Sequence, residues 1–191
     1  MKRLPIALAF FAMAAPLALA QTSTWNLDPA HSEVDFTVKH MGLSNVHGRI
    51  GIQKGAITLN EADISKSSVT VTIDTTTIDT GVSMRDNDLK SANYFDAAQF
   101  PTATFTSTSV SGTSGHLTVA GDLTLHGVTK PVTLDVEGPD GPVNGMGGKQ
   151  HEGYSATATL NRKDFGVGAK TPNGMVSDEV KLTIELDAAK Q

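Results

Sequence analysis

The chain has 191 residues, with 15 Lys and Arg against 20 Asp and Glu, no cysteine and 5% aromatic residues. This acidic balance repels nucleic acid and anionic lipid headgroups, and the lack of cysteine excludes disulfides and thiolate chemistry. No apolar run reaches the ~20 residues a membrane-spanning helix needs, so no stable membrane insertion is expected.

The first residues read as a leader. Met1-Lys2-Arg3 is basic, residues 4–17 are apolar, and Ala18-Leu19-Ala20 is a small-residue cleavage signal. That order defines a secretory signal peptide over 1–20, with 21–191 as the mature chain. Gln21 in place of Cys after the cut argues against a lipid-anchored product. Removing Lys2 and Arg3 leaves 13 basic side chains and a net charge of −7. The remaining length suits one domain whose core holds itself together without disulfides.

Beyond the leader, Trp25 to Asp28 reads as a short strand ended by Pro29. Val34, Phe36, Val38 and His40 then share one face of a second strand, with Glu33, Asp35, Thr37 and Lys39 on the other. A turn over 41–45 leads to a strand through Ile50 and Ile52, and 57–59 is a further apolar patch. Val69, Val71 and Ile73 alternate with Thr70, Thr72 and Asp74, a composition suited to a pleated surface. Residues 83–94 break the pattern. Ser83 resembles a helix N-cap with Asp86 in the first turn, and Arg85 and Asp88, three apart, share a face and can pair across it.

Residues 102–109 resume the strand pattern, and the most regular stretch follows. Leu117, Val119, Gly121, Leu123 and Leu125 alternate with polar neighbours, and after a corner at Gly127 so do Val132, Leu134 and Val136. This predicts an antiparallel hairpin, with Pro131 at the start of its second strand. Residues 138–153 read as a long Gly- and Pro-rich loop near a mouth or edge. The last strands lie over 154–162 and 180–186. About eight to ten short strands at roughly 10-residue spacing predict an all-β antiparallel barrel or sandwich. Inward Val, Ala, Gly and Ile positions favour a barrel with room inside, although a packed core is also compatible with the pattern.

Chemistry is sparse. His31, His40 and His47 lack the spacing of a metal site, so no metal is expected. There is no Gly-x-Ser-x-Gly elbow, glycosidase carboxylate pair, Walker loop or dinucleotide fingerprint, so an enzyme is not expected.

Several stretches, in order, resemble the YceI-like family of exported lipid-binding proteins. They include residues 34–40 (Val-Asp-Phe-Thr-Val-Lys-His), Met84-Arg85-Asp86 and Tyr94-Phe95-Asp96. The two most specific are residues 121–132 (Gly-Asp-Leu-Thr-Leu-His-Gly-Val-Thr-Lys-Pro-Val) and Arg162-Lys163-Asp164-Phe165-Gly166. The resemblance implies a lipocalin-like antiparallel barrel of about eight strands with one short helix. Its lumen would hold an isoprenoid-type amphiphile in the periplasm, often in a homodimer, with no cofactor beyond that lipid. On this reading Phe36, Val38, Val71, Ile73, Phe105, Leu123, Leu125, Leu134, Leu182 and Ile184 line the lumen, while His40, Arg85 and Tyr94 meet the head group. The rival readings are a small barrel enzyme and a structural protein with a filled core.

Overall fold

The computed structural model describes residues 22–191; the leader and its cleavage point lie outside the described residues. Nine strands follow one another: β1 (Thr22–Leu27), β2 (Glu33–His40), β3 (Ser44–Asn60), β4 (Ser68–Asp74), β5 (Thr102–Thr113), β6 (Gly115–Leu125), β7 (Val128–Asn144), β8 (Gln150–Asn161) and β9 (Glu179–Lys190). One α-helix, α1 (Ser83–Lys90), stands between β4 and β5. Every pairing is antiparallel, and β3–β4 and β1–β9 contacts close the sheet on itself.

Nine strands make an eight-position ring because β1 and β2 share one position. Both run antiparallel to β3 and to β9, at different heights: β2 pairs with residues 44–51 and 181–185, β1 with 56–60 and 188–190. Pro29 breaks this stave, as a residue without an N–H must. Ser32 repairs the ladder there, its hydroxyl accepting from the Asp187 amide at 3.0 Å and lying 3.2 Å from the Asp187 carbonyl. Closure removes the exposed edges that an open sheet of this length would present.

The central hairpin forms in the expected register, with Leu117 opposite Val136, Val119 opposite Leu134 and Gly121 opposite Val132. His126 and Gly127 both take positive φ, as a two-residue type I′ turn requires. Pro131 is the fourth residue of β7, not its first, and falls where β7 has no partner in β8, whose pairing begins only at Asp135. Gly121 and Gly48 are needed for space. A Cβ at Gly121 would lie 2.4 Å from Cζ of Phe105, and one at Gly48 2.3 Å from Cζ of Phe36. These two inward rings therefore lie directly on the backbone of the neighbouring strand.

Two expectations are corrected. Residues 138–153 are not a long loop: β7 runs on to Asn144 and β8 starts at Gln150. The two strands stay paired through register shifts, and Gly138 and Gly141 sit at those irregularities with φ of 118° and 119°, which other residues rarely adopt. Ser83 is not the N-cap of α1; Val82 occupies that place without a side-chain cap bond. Asp86 instead reaches back to accept from the Thr80 amide and hydroxyl.

Among the described residues no helix is long and apolar enough to cross a membrane.

Candidate functional site: an apolar lumen in two chambers

Alternation along the strands sends one side chain in two into the barrel, and the barrel is too wide for them to fill it. A chamber of about 290 Å³ lies at the end reached by the C-terminus of β2 and the N-terminus of β9. A second, of about 110 Å³, lies deeper. Val34, Ile73, Leu123 and Leu182 line both, so the two form one lumen with a waist. Its lining is almost wholly aliphatic and aromatic.

The thirteen residues expected to face a ligand all line this space. Phe36, Val38, His40, Arg85, Tyr94 and Leu125 belong to the outer chamber, Val71, Phe105, Leu134 and Ile184 to the inner, and Ile73, Leu123 and Leu182 to both. Several inward aliphatics, among them Val38, Val71, Leu125 and Ile184, are only half-buried. They line the chambers and stay partly accessible although they point into the barrel, which is the physical mark of a cavity rather than a filled core.

The inner end is closed by packing. Trp25 is 1% exposed and Ala188 fully buried, with Leu27, Leu59, Val136 and Tyr154 in the same cluster. Glu152 is buried beside them, and the Tyr154 hydroxyl donates to its Oε2 at 3.0 Å. Burial pushes the Glu152 carboxyl above the usual carboxylate range, and burial likewise raises the Tyr154 hydroxyl.

The outer end is covered by two chain segments, 75–101 and 162–178. The first is anchored by Thr75, 1% exposed, whose hydroxyl donates to the Phe100 carbonyl at 2.7 Å, and by Ile78, which packs with Phe36 and Ile50. The second is organised by Arg162. Its guanidinium, 5% exposed, donates to the carbonyls of Val167, Gly168, Thr171, Val176 and Ser177 and to Oδ1 of Asp178 at 2.8 Å. A planar five-donor group is suited to gathering so many acceptors from one loop. The Thr171 hydroxyl also donates to the Tyr94 hydroxyl at 3.0 Å, tying the two covering segments together.

The polar side chains separate into distinct roles. Arg85 does not pair with Asp88 as its helical spacing suggested: its Nε donates to the Thr80 hydroxyl at 2.7 Å and Nη2 to the Thr80 carbonyl at 2.9 Å. Asp88 accepts from Asn93 instead. His40 stands exposed at the end of β2, on the border of the outer chamber. His31 bonds Asp28 at 2.9 Å and His47 lies 2.9 Å from the Thr37 hydroxyl, so the three histidines occupy three separate places. Among the described residues no group of three or more His, Asp or Glu is arranged to hold a metal ion.

Arg162, Phe95, Leu160, Phe165, Val167 and Val176 border the outer chamber without having been expected there. All but Leu160 lie outside the strands, beyond the reach of a period-two argument. Arg162 and Phe165 did carry a signal, the Arg-Lys-Asp-Phe-Gly run, which the alternation alone could not interpret.

A closed antiparallel barrel with a blind, apolar lumen and a covered opening defines an internal-cavity binding fold, in which apolar walls surround a few polar groups at the mouth. The comparisons narrow this class. The chain belongs to the YceI-like domain family, whose model matches residues 25–188. It is 36% identical over 193 residues to Protein YceI of Shigella sonnei, covering 100% of both chains. Among solved structures it is similar to the YCEI protein of Campylobacter jejuni, with a TM-score of 0.69 and 30% identity, covering 80% of this chain and 90% of that one. A polyisoprenoid binding domain from Saccharophagus degradans, implicated in plant cell wall breakdown, shares the fold with a TM-score of 0.62 at 16% identity, covering 87% of this chain and 98% of that one.

Proposed function

We propose that the protein sequesters or carries an isoprenoid-type amphiphilic lipid, such as a polyprenyl or quinone-like molecule, in its barrel lumen. The observation that carries this reading is the continuous apolar lumen, open at one end and blind at the other. Family membership and the name borne by the Saccharophagus domain support the lipid class. Each methylene moved out of water is worth ~0.8 kcal/mol, so a tail of a few isoprene units gains more than about 10 kcal/mol before ordering costs. The tail supplies the affinity and the head needs only one or two partners.

Those partners are His40, Arg85 and Tyr94. Among the described residues, the His40 ring and Nη1 of Arg85 make no hydrogen bond within the protein, leaving donors free at the chamber border. No bond is made or broken in this mechanism; the protein shields a molecule that water rejects and releases it to an acceptor. Family membership and the leader read from the sequence support a periplasmic location.

The test is native recovery. Protein purified from its own periplasm and extracted with organic solvent yields, by mass spectrometry, one dominant class of prenyl lipid. Val38→Trp, which fills the outer chamber, folds with an unchanged far-UV spectrum and yields none. Repeated recovery of no lipid from the unaltered protein overturns the carrier reading.

A further inference from the structure

Six large hydrophobic side chains stand exposed among the described residues, and their distribution is one-sided. Met41, Leu43, Val82, Met84 and Met175 lie at the open end of the barrel; only Val143 lies elsewhere, on the β7–β8 extension at the closed end. Leu43 and Met84 are 81% and 82% exposed, so they project into water almost without cover. The five come from three segments that meet at the mouth. Met41 and Leu43 form the turn between β2 and β3, and Val82 and Met84 start α1. Met175 is in the covering segment, where its carbonyl accepts from the Met41 amide at 2.9 Å. Val46, Thr80, Arg85 and Val176, their near neighbours in sequence, line the outer chamber, so the apolar rim runs on into the lumen wall.

We infer that this rim docks the open end of the barrel reversibly on the surface of a phospholipid bilayer. Exposed apolar side chains gathered at one place mark an interaction surface, whereas single ones scattered over a protein do not. A bilayer fits these better than a shaped protein partner does. The side chains project separately from two turns and a helix start around the mouth, and bilayer insertion asks no matched contour of them. The charge is also consistent with a zwitterionic surface. The whole chain is acidic, and the segments that bear the rim mix Lys39 and Lys170 with Asp88 and Asp164, so attraction to anionic headgroups contributes little and apolar insertion must supply the contact. The inference takes its purpose from the carrier reading, because a mouth held in the headgroup layer lets a lipid tail pass into the lumen without crossing water. The docking itself needs no ligand and is tested without one.

The absence of cysteine allows single reporters to be placed at will. Leu43→Cys, Met84→Cys and Val143→Cys, each labelled with an environment-sensitive fluorophore, are mixed with pure phosphatidylcholine vesicles. The labels at 43 and 84 shift to the blue and become shielded from an aqueous quencher, while the label at 143 does neither. Flotation with the same vesicles falls about tenfold or more for the Leu43→Asp, Met84→Asp double variant, whose exposed positions leave the fold intact. Equal response at all three labels, no response at 43 and 84, or unchanged flotation of the double variant overturns the inference. So does burial of 43 and 84 in a dimer of the free protein that leaves vesicles unbound, since the occupant of the rim is then a second copy. Lipid extraction from the same variants separates the two ideas: recovered lipid with no docking removes this inference alone, and docking with no lipid removes the carrier reading alone.

Discussion

The two ends of the barrel are built from the same strands and the same alternation, yet one is solid and the other hollow. At the closed end Trp25, Leu27 and Ala188 belong to one buried cluster with almost no exposure and line neither chamber. At the open end Val38, Leu125 and Val180 line a chamber of about 290 Å³ and remain only half-buried. The closed end is held mainly by side-chain packing; the covering segments of the open end add to the packing of Ile78 a set of hydrogen bonds from side chains to backbone carbonyls. Binding capacity therefore comes from how the ring is covered, since inward-facing aliphatics alone do not distinguish a core from a cavity.

The sharpest way to break this contrast is at Arg162. Arg162→Ala removes the donor for six acceptors, one of them the Asp178 carboxylate, and a cost of about 3–5 kcal/mol is expected in chemical denaturation. Arg162→Lys does not restore it, because a point charge cannot reach acceptors spread around a planar fork. A cost below about 1 kcal/mol would show that the covering segment is held by something else.

Next in size is a matched pair of truncations. Trp25→Ala in the packed end is expected to cost about 3–5 kcal/mol, whereas Leu125→Ala in the outer chamber costs about 1–2 kcal/mol. The chamber residue already lacks contacts on one side, so its removal forfeits fewer. Equal costs in urea unfolding would mean that the outer chamber closes up in solution.

The smallest effect concerns Glu152. Burial raises its carboxyl pKa in the folded protein, so the folded state holds this proton more tightly than the unfolded chain does. Stability from this group is therefore gained as pH falls through the raised value, and the carboxylate is a cost above it. Glu152→Gln is expected to raise Tm by a few degrees at pH 8, with the difference from the unaltered protein shrinking toward pH 4. A variant that melts lower at pH 8 would show that the Tyr154 hydrogen bond outweighs the burial penalty.

Much of the barrel was legible in the sequence because the side-chain period of a strand survives any tertiary context. The phase of Phe36, Val38, Phe105, Leu123 and Leu182 followed from alternation, and each faces the lumen. The hairpin turn was legible from Gly127. Where the chain leaves the strands no such period marks its course. Residues 138–153 looked like a loop because Gly and Pro are turn formers, but paired backbones absorb them at bulges. Arg85 and Asp88 looked like a pair at helical spacing, yet Thr80, outside the helix, offers Arg85 two acceptors at once. Arg162 was invisible as an organiser, since its acceptors are mostly carbonyls, which every residue possesses and no sequence pattern marks.

The split stave made by β1 and β2 has a consequence for how the molecule comes into being. The ring is sealed when β9 meets both halves of that stave, residues 33–37 against 181–185 and 25–27 against 188–190, which joins the first two described strands to the last. A contact between partners so far apart along the polymer is entropically expensive and forms late. Until β9 has been synthesised and released the sheet keeps two raw edges, so the barrel completes itself only once that strand is free to pair with β2 and β8.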